Sequence, residues 1–257
     1  MAGIKFPKIK LPKIEWPGKP PQKPAPKKQP KEKKIHPWRP CPLGQHWVSA
    51  HTRHRISSRG LHYIQSVDGH CRNNGTRKDH LYRDDIHEIA SKYFAKLHGP
   101  PVSHGLGFTG IGNKYDHLIR GWTRYWNDVL RPSDLLDPDI VKALIASESS
   151  FNPNAWNRLK GKKSAYGLMQ VLNQTVPLLS DPKELKDHFV NLTSEDMKDP
   201  NISICSGVRW LFRKKQLAEA KAKKSITWRE AIIAYKVADK KLMKNFDKYY
   251  RDLKSLK

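Results

Sequence analysis

The chain is short of the features that mark common export routes and common nucleic-acid readers. Its start, Met1-Ala2-Gly3-Ile4-Lys5, carries a charge but leads into no apolar core of seven or more residues, so no secretory signal peptide is expected. No later apolar run is long enough to span a bilayer, and no transmembrane segment is expected either. Cysteine is scarce: Cys41, Cys71 and Cys205 are the only three, and no Cys-x-x-Cys pair occurs. The glycines Gly105, Gly107, Gly110 and Gly112 are not followed by Gly-Lys-Ser/Thr, which excludes that type of phosphate-binding loop. No helix-turn-helix, zinc-finger or aromatic RNA-binding motif is recognisable, so specific nucleic-acid readout is not expected. Acidic residues are few. The 257 residues hold 24 Asp and Glu against 49 Lys and Arg, a net charge of +25.

That excess is unevenly placed. Residues 1–40 carry eleven Lys and one Arg against Glu15 and Glu32, a net charge of +10, and ten of the nineteen prolines. Within them an apolar residue, Pro and Lys recur every five residues: Phe6-Pro7-Lys8, Leu11-Pro12-Lys13, Trp16-Pro17 with Lys19. Proline blocks helix continuation and favours an extended chain. Residues 1–40 therefore read as a disordered basic tail, serving either as a spacer or as a peptide that docks on a protein partner. The other residues are basic too, with a net charge of +15. Such a surface suits polyanions, whether wall polymers, anionic lipid or nucleic acid, and charge alone does not choose among them.

Residues 41–80 read as a small separate module. Eleven of the twelve histidines lie between His36 and His117. Alternating apolar residues on either side of Ser57-Ser58-Arg59-Gly60 predict a short β-hairpin. Cys41, His46, His70 and Cys71 supply two thiols and two imidazoles, a donor set zinc accepts. The adjacency of His70 and Cys71 is not a standard ligand spacing, and a Cys41–Cys71 disulfide is the competing reading for an exported protein. Cys205, among Ile202, Val208 and Leu211, reads as a packed thiol.

The rest reads as helix. Apolar residues at helical spacing predict helices over 82–97, 115–130, 201–222, 227–236 and 239–253. Another begins at Asp137, a good N-cap, with Pro138 at the first helical position, where its missing N–H costs nothing. Leu136 and Val141 are placed as a hydrophobic staple. From Ile140 to Ala146 only Lys142 is polar, so this helix should be buried almost all round. Ile140, Leu144 and Glu148 share one of its faces. A carboxyl carried there is hard to ionise, and one that keeps its proton near neutral pH can act as a general acid.

The residues around Glu148 carry a resemblance. Glu148-Ser149 is followed by Phe151-Asn152-Pro153-Asn154-Ala155, then Gly167-Leu168-Met169-Gln170, then Asn201-Ile202 with Gly207, and finally Ala234-Tyr235. In order and spacing this resembles the catalytic domain of the soluble lytic transglycosylases, in the lysozyme-like superfamily, over roughly residues 137–237. The resemblance implies a mainly α, lysozyme-like domain with a substrate cleft, here taken as residues 81–257 with a helical lead-in. It implies action on peptidoglycan glycan strands without a cofactor. Glu148 would protonate the glycosidic oxygen and then, as carboxylate, take a proton from the C6 hydroxyl to close a 1,6-anhydro ring. Ser149 would orient substrate or acid. Gly167, Leu168, Met169 and Gln170 would form the cleft floor, and Tyr235 would hydrogen-bond near Glu148 or the acetamido group. Met169 reads equally as core packing, and Tyr235 has the lesser reading of a buried aromatic with its hydroxyl satisfied.

Glycosidases generally need two carboxyl groups, yet no Asp or Glu lies between Glu148 and Asp181. Substrate assistance by the sugar's acetamido group, which the resemblance implies, removes that need. One departure stands out. The family carries Asn and then Gly after its last Tyr, whereas this chain reads Tyr235-Lys236-Val237-Ala238. The helix is free to run on toward Asp239, which would move Lys236 relative to the cleft and alter the substrate contacts of that motif. A hydrolytic muramidase and a non-catalytic basic wall-binding or assembly protein are the alternatives. Action on the wall without a recognised signal leaves a non-standard export route, a virion and a secretion or conjugation apparatus all open as settings.

Overall fold

The computed structural model describes residues 38–157, 164–236 and 240–256. The tail reading therefore lies, up to residue 37, outside the described residues. Trp38 and Arg39, at its end, are buried in the folded unit. The indole of Trp38 donates to Asp128 (3.1 Å), and Arg39 donates to the carbonyls of His80 and Gln45 (both 2.8 Å).

An antiparallel arm comes first. β1 (Gln45–Val48) pairs with β4 (His70–Asn73), and inside them β2 (His51–Ile56) pairs with β3 (His62–Val67). The Ser57–Gly60 turn closes as expected, with the Gly60 N–H donating to Ser57 O, and Gly60 takes φ +74°. The base of the arm is tied to the first helix, α1 (Arg83–Tyr93). The N–H groups of Trp47 and Ser49 donate to Asp85 and Asp84 in its first turn (2.8 Å each). β5 (His80–Leu81) runs parallel to β9 (Phe189–Val190), so this segment shares a sheet with the second half of the chain. Arg39 and Asp79 form a buried ion pair at 3.2 Å beside that junction.

The zinc reading is corrected here. Cys41 and Cys71 form a disulfide, which removes both thiolates from any metal. His46 hydrogen-bonds Asn74 and packs on Tyr82, while His70 binds the carbonyl of Asp68. Among the described residues no group of three or more His, Cys, Asp and Glu side chains converges on a common point.

The helical part is built around two helices with almost no free face. α3 (Pro138–Ser149) is buried from Asp139 through Ser147, and α4 (Pro200–Ala222) from Asn201 through Phe212. Around them stand α2 (Asp116–Leu130), α5 (Trp228–Tyr235) and α6 (Lys240–Lys254). Trp122 and Trp126 of α2 fill the space against α4, their indoles donating to Asn201 Oδ1 (2.6 Å) and Cys205 O (2.9 Å). Large side chains fully buried in this way contribute roughly 1.5–3 kcal/mol each. Cys205 is a free, buried thiol, as expected of a packing residue. Among the described residues no helix is long and apolar enough to cross a membrane.

The start of α3 obeys its sequence signals. Asp137 caps the N–H of Asp139 at 3.0 Å, and Pro138 takes the first turn. Lys254 of α6 clamps the same end, binding Asp137 and Asp139. Lys142, the one polar residue in the apolar run, is buried with its ammonium on Asp116 (2.8 Å), Asn113 (2.9 Å) and Val102 O (2.8 Å). Burial pulls the Lys142 amine below its ordinary range and pushes the Asp116 carboxyl above its own, while each partner opposes the shift of the other. Losing one member of such a pair is costlier than losing both. Lys142→Met is expected to destabilise the fold by about 3–5 kcal/mol, and Lys142→Met combined with Asp116→Leu to recover much of that, as read from denaturant midpoints of the three proteins.

Candidate active site

α3 ends one residue past Glu148. Ser150 and Phe151 both take left-handed backbone, at φ 52° and 60°, and the Ser150 N–H returns to Ala146 O. Positive φ is uncommon for a residue as bulky as Phe. Burial of its ring edge-on to Phe108, at 5.4 Å between centroids, holds it there. The chain then turns through Asn152, whose side chain accepts from the Asn154 N–H at 2.9 Å, into β6 (Trp156–Asn157). β6, β7 (Ala165–Tyr166) and β8 (Val171–Leu172) make a three-stranded sheet in that order.

Gly167 to Gln170 form the turn between β7 and β8, and three of the four residues are structural. Gly167 has φ +77°, and a Cβ there would stand 1.9 Å from Met197 O, so no other residue fits. Leu168 and Met169 are wholly buried. Met169 lies against Gly207, where a Cβ would come within 2.4 Å of its own Cβ. This is the reason for a glycine in the middle of α4. The Gln170 amide donates to Ala155 O (3.1 Å) and Gly167 O (2.9 Å), which ties the turn to the segment leaving α3. The expectation that Leu168 and Met169 form an accessible cleft floor is thus replaced by a supporting layer beneath it. Ser149 changes role similarly: it is buried, and its hydroxyl donates to Ile145 O at 3.2 Å, along its own helix.

Glu148 is 10 % exposed, and its Oε1 lies 3.0 Å from the Lys236 ammonium, which is fully buried. α5 stops at Tyr235, with Lys236 as its C-cap at φ −81° and ψ 3°. The helix therefore does not carry Lys236 away from Glu148. Val237 to Asp239, where a continuation was considered, lie outside the described residues. Tyr235 donates its hydroxyl to Met169 O at 2.8 Å. Burial first, and the charge of Glu148 second, push the Tyr235 phenol well above its ordinary value, so it remains a donor.

A cavity of about 410 Å³ opens beside Tyr235. Gln170 and Tyr235 border it together with Trp210, Glu184, Gln174 and Lys214. Glu184 is held by Arg213 at 2.8 Å. Neither Glu184 nor Lys214 carries a motif, and only the fold brings them to Tyr235. Trp210 was legible as part of α4 but not as a cavity wall.

The structure thus sets a near-buried carboxyl at the end of a core helix, beside a small sheet, in a mainly helical domain. Residues 132–256 match the family described as Transglycosylase SLT domain, a match consistent with a lytic transglycosylase catalytic domain over this part of the chain. No curated protein and no solved structure gives a significant match to the chain.

Gly167 offers a direct check on the supporting layer. Gly167→Ala adds a strained φ and a backbone overlap, and is expected to destabilise the protein by more than about 2 kcal/mol. In a domain of this size that lowers the thermal midpoint by at least about 4 °C, measurable by circular dichroism.

Proposed function

We propose that the protein is a peptidoglycan lytic transglycosylase that cleaves the β-1,4 bond between N-acetylmuramic acid and N-acetylglucosamine, with Glu148 as acid and then base. The observation that carries this is the position of Glu148, a near-buried carboxyl at the end of a core helix inside the matched family region. In the first half-reaction the Glu148 carboxyl gives its proton to the glycosidic oxygen as the C1–O bond breaks. The acetamido group of the same sugar stabilises the positive centre at C1. In the second, the Glu148 carboxylate takes the C6 hydroxyl proton as O6 bonds to C1. The 1,6-anhydro ring closes, Glu148 regains its proton, and no water is consumed. Tyr235, anchored on Met169 O, fixes the wall beside the carboxyl. Gln170 holds the turn that faces the helix end.

Lys236 bears on this directly. An ammonium 3.0 Å from Glu148 favours the ionised carboxylate, which suits the base step and opposes the acid step. The same contact is what favours the second reading, a wall-binding protein that no longer cleaves.

Digestion of purified sacculi followed by mass analysis of the products separates these readings. Muropeptides one water lighter than reducing-end species are expected, and Glu148→Gln is expected to lower their release at least about 100-fold. Reducing-end products would support the hydrolytic muramidase, and no release by folded protein would support the non-catalytic reading. In Lys236→Asn the carboxyl loses its cationic neighbour and holds its proton to higher pH. The limb on which activity falls with rising pH is expected to move upward, roughly tenfold in proton concentration for each 1.4 kcal/mol of ion-pair energy removed. A pH–rate profile of the variant against the parent measures it.

A further inference from the structure

None of the candidate site residues around Glu148 comes from the β2–β3 arm. From Val48 to Val67 the chain has no acidic residue, while Arg53, Arg55, Arg59, His51, His54 and His62 all fall there. Every residue of β2 is exposed. Ile56, Leu61 and Ile64 are 64–67 % exposed and Tyr63 is 49 % exposed. At the turn, a Cβ added to Gly60 would meet nothing within 4 Å.

The register distributes these side chains. Cross-strand pairs share a face, and faces alternate along the strands. Ile56 pairs with His62 and His54 with Ile64, which puts two isoleucines on one face. Arg55 pairs with Tyr63 and Arg53 with Gln65, which puts the aromatic ring and two guanidinium groups on the other. Leu61 sits at the turn. Apolar groups and cations therefore interleave around the tip: Arg59 stands in the turn with Leu61, Arg55 is level with Tyr63, and Arg53 lies behind them.

A lone two-stranded hairpin is marginal in water. This one is held from its base by the Cys41–Cys71 disulfide and the Asp84 and Asp85 bonds, so its tip is free to remain uncovered. Among candidate occupants, a polyanionic wall polymer would match the arginines but leave three aliphatic side chains wet. A protein groove would cover one face of the strand pair. A bilayer interface receives apolar groups on all sides of a tip and, at headgroup depth, offers phosphates to arginines interleaved with them.

We propose that the tip of the β2–β3 hairpin is a peripheral membrane anchor, inserting Ile56, Leu61, Tyr63 and Ile64 at headgroup depth of an anionic bilayer with Arg53, Arg55 and Arg59 on lipid phosphates. Each such cation strengthens attachment to an anionic surface, and tyrosine favours that boundary. The anchor is independent of whether Glu148 cleaves glycan.

Co-sedimentation of the full chain with vesicles tests it, using phosphatidylcholine alone or with about one-third phosphatidylglycerol, at about 0.1 M salt. Because residues 1–40 carry +10 and can bind anionic lipid themselves, the deciding comparison is between parent and variants of the full chain. Ile56→Ser with Leu61→Ser and Ile64→Ser is expected to weaken partitioning into the anionic vesicles at least tenfold, with an unchanged thermal midpoint and unchanged product release from sacculi. Arg53→Gln with Arg55→Gln and Arg59→Gln is expected to weaken it as well, and more so at low salt. Equal binding by parent and serine variant would overturn the anchor. So would a loss that appears only as failed self-association in sedimentation velocity, or only as failed retention on sacculi, since those outcomes assign the tip to a second copy or to a wall polymer.

Discussion

Near-complete burial of α3 is the constraint on which the rest of this domain depends. A helix enclosed on every side can carry a polar group only where a partner has been built for it. Asp137 and Asp139 meet Lys254 and their own helix N-terminus, Lys142 meets Asp116 and Asn113, and Glu148 meets Lys236. These partners come from α2, from the loop before it and from the two C-terminal helices. Packing α3 therefore fixes where those elements must lie, and the apolar stripe between the charges supplies the burial that makes the pairing necessary.

The end of the helix is constrained as firmly as its start. Two consecutive left-handed residues, one a buried Phe, turn the chain away just past Glu148. Gln170, tied to Ala155 and Gly167, holds the outgoing segment against the β7–β8 turn. That turn rests in its place because Gly167 admits Met197 O and Gly207 admits Met169. The motif residues around the carboxyl thus act mainly by fixing backbone, and comparatively few of them reach the cavity. This accounts for side chains such as Met169 and Ser149, typical of a site in sequence and buried in space.

Legibility in the sequence divides along the same line. Local signals were legible because their physics is local: Asp137-Pro138 opening a helix, the hairpin turn at Ser57–Gly60, and the buried thiol of Cys205 in an apolar run. Order and spacing of motifs named Glu148 and Tyr235 as candidates. Pairings across long separations were not legible. Nothing adjacent in sequence links Lys142 to Asp116, Arg39 to Asp79, or Glu184 to the cavity wall at Tyr235. Cys41, His46, His70 and Cys71 supplied donors of suitable chemistry, but His70 and Cys71, neighbours on β4, point to opposite faces, and Cys71 is bonded to Cys41, which precedes β1.

Lys236 is where local and distant constraints meet. Asn in its place would bring a neutral amide toward the carboxyl, able to orient it without choosing its charge. A lysine at the C-cap of α5 has a short reach to the end of α3 and no exposed path for its ammonium, so a charged amine there must keep an acidic partner. The pair is self-consistent as a resting state: each ion removes the penalty of burying the other. Catalysis by a single carboxyl needs that balance to be shallow, because the same group must hold a proton in one half-reaction and lack it in the next. On the proposed mechanism, a sugar seated beside Glu148 excludes water, which strengthens the ammonium's pull on the carboxylate and makes delivery of the first proton the demanding step. On the same proposed mechanism, a lysine at this position thus moves the difficulty from closing the anhydro ring to opening the glycosidic bond.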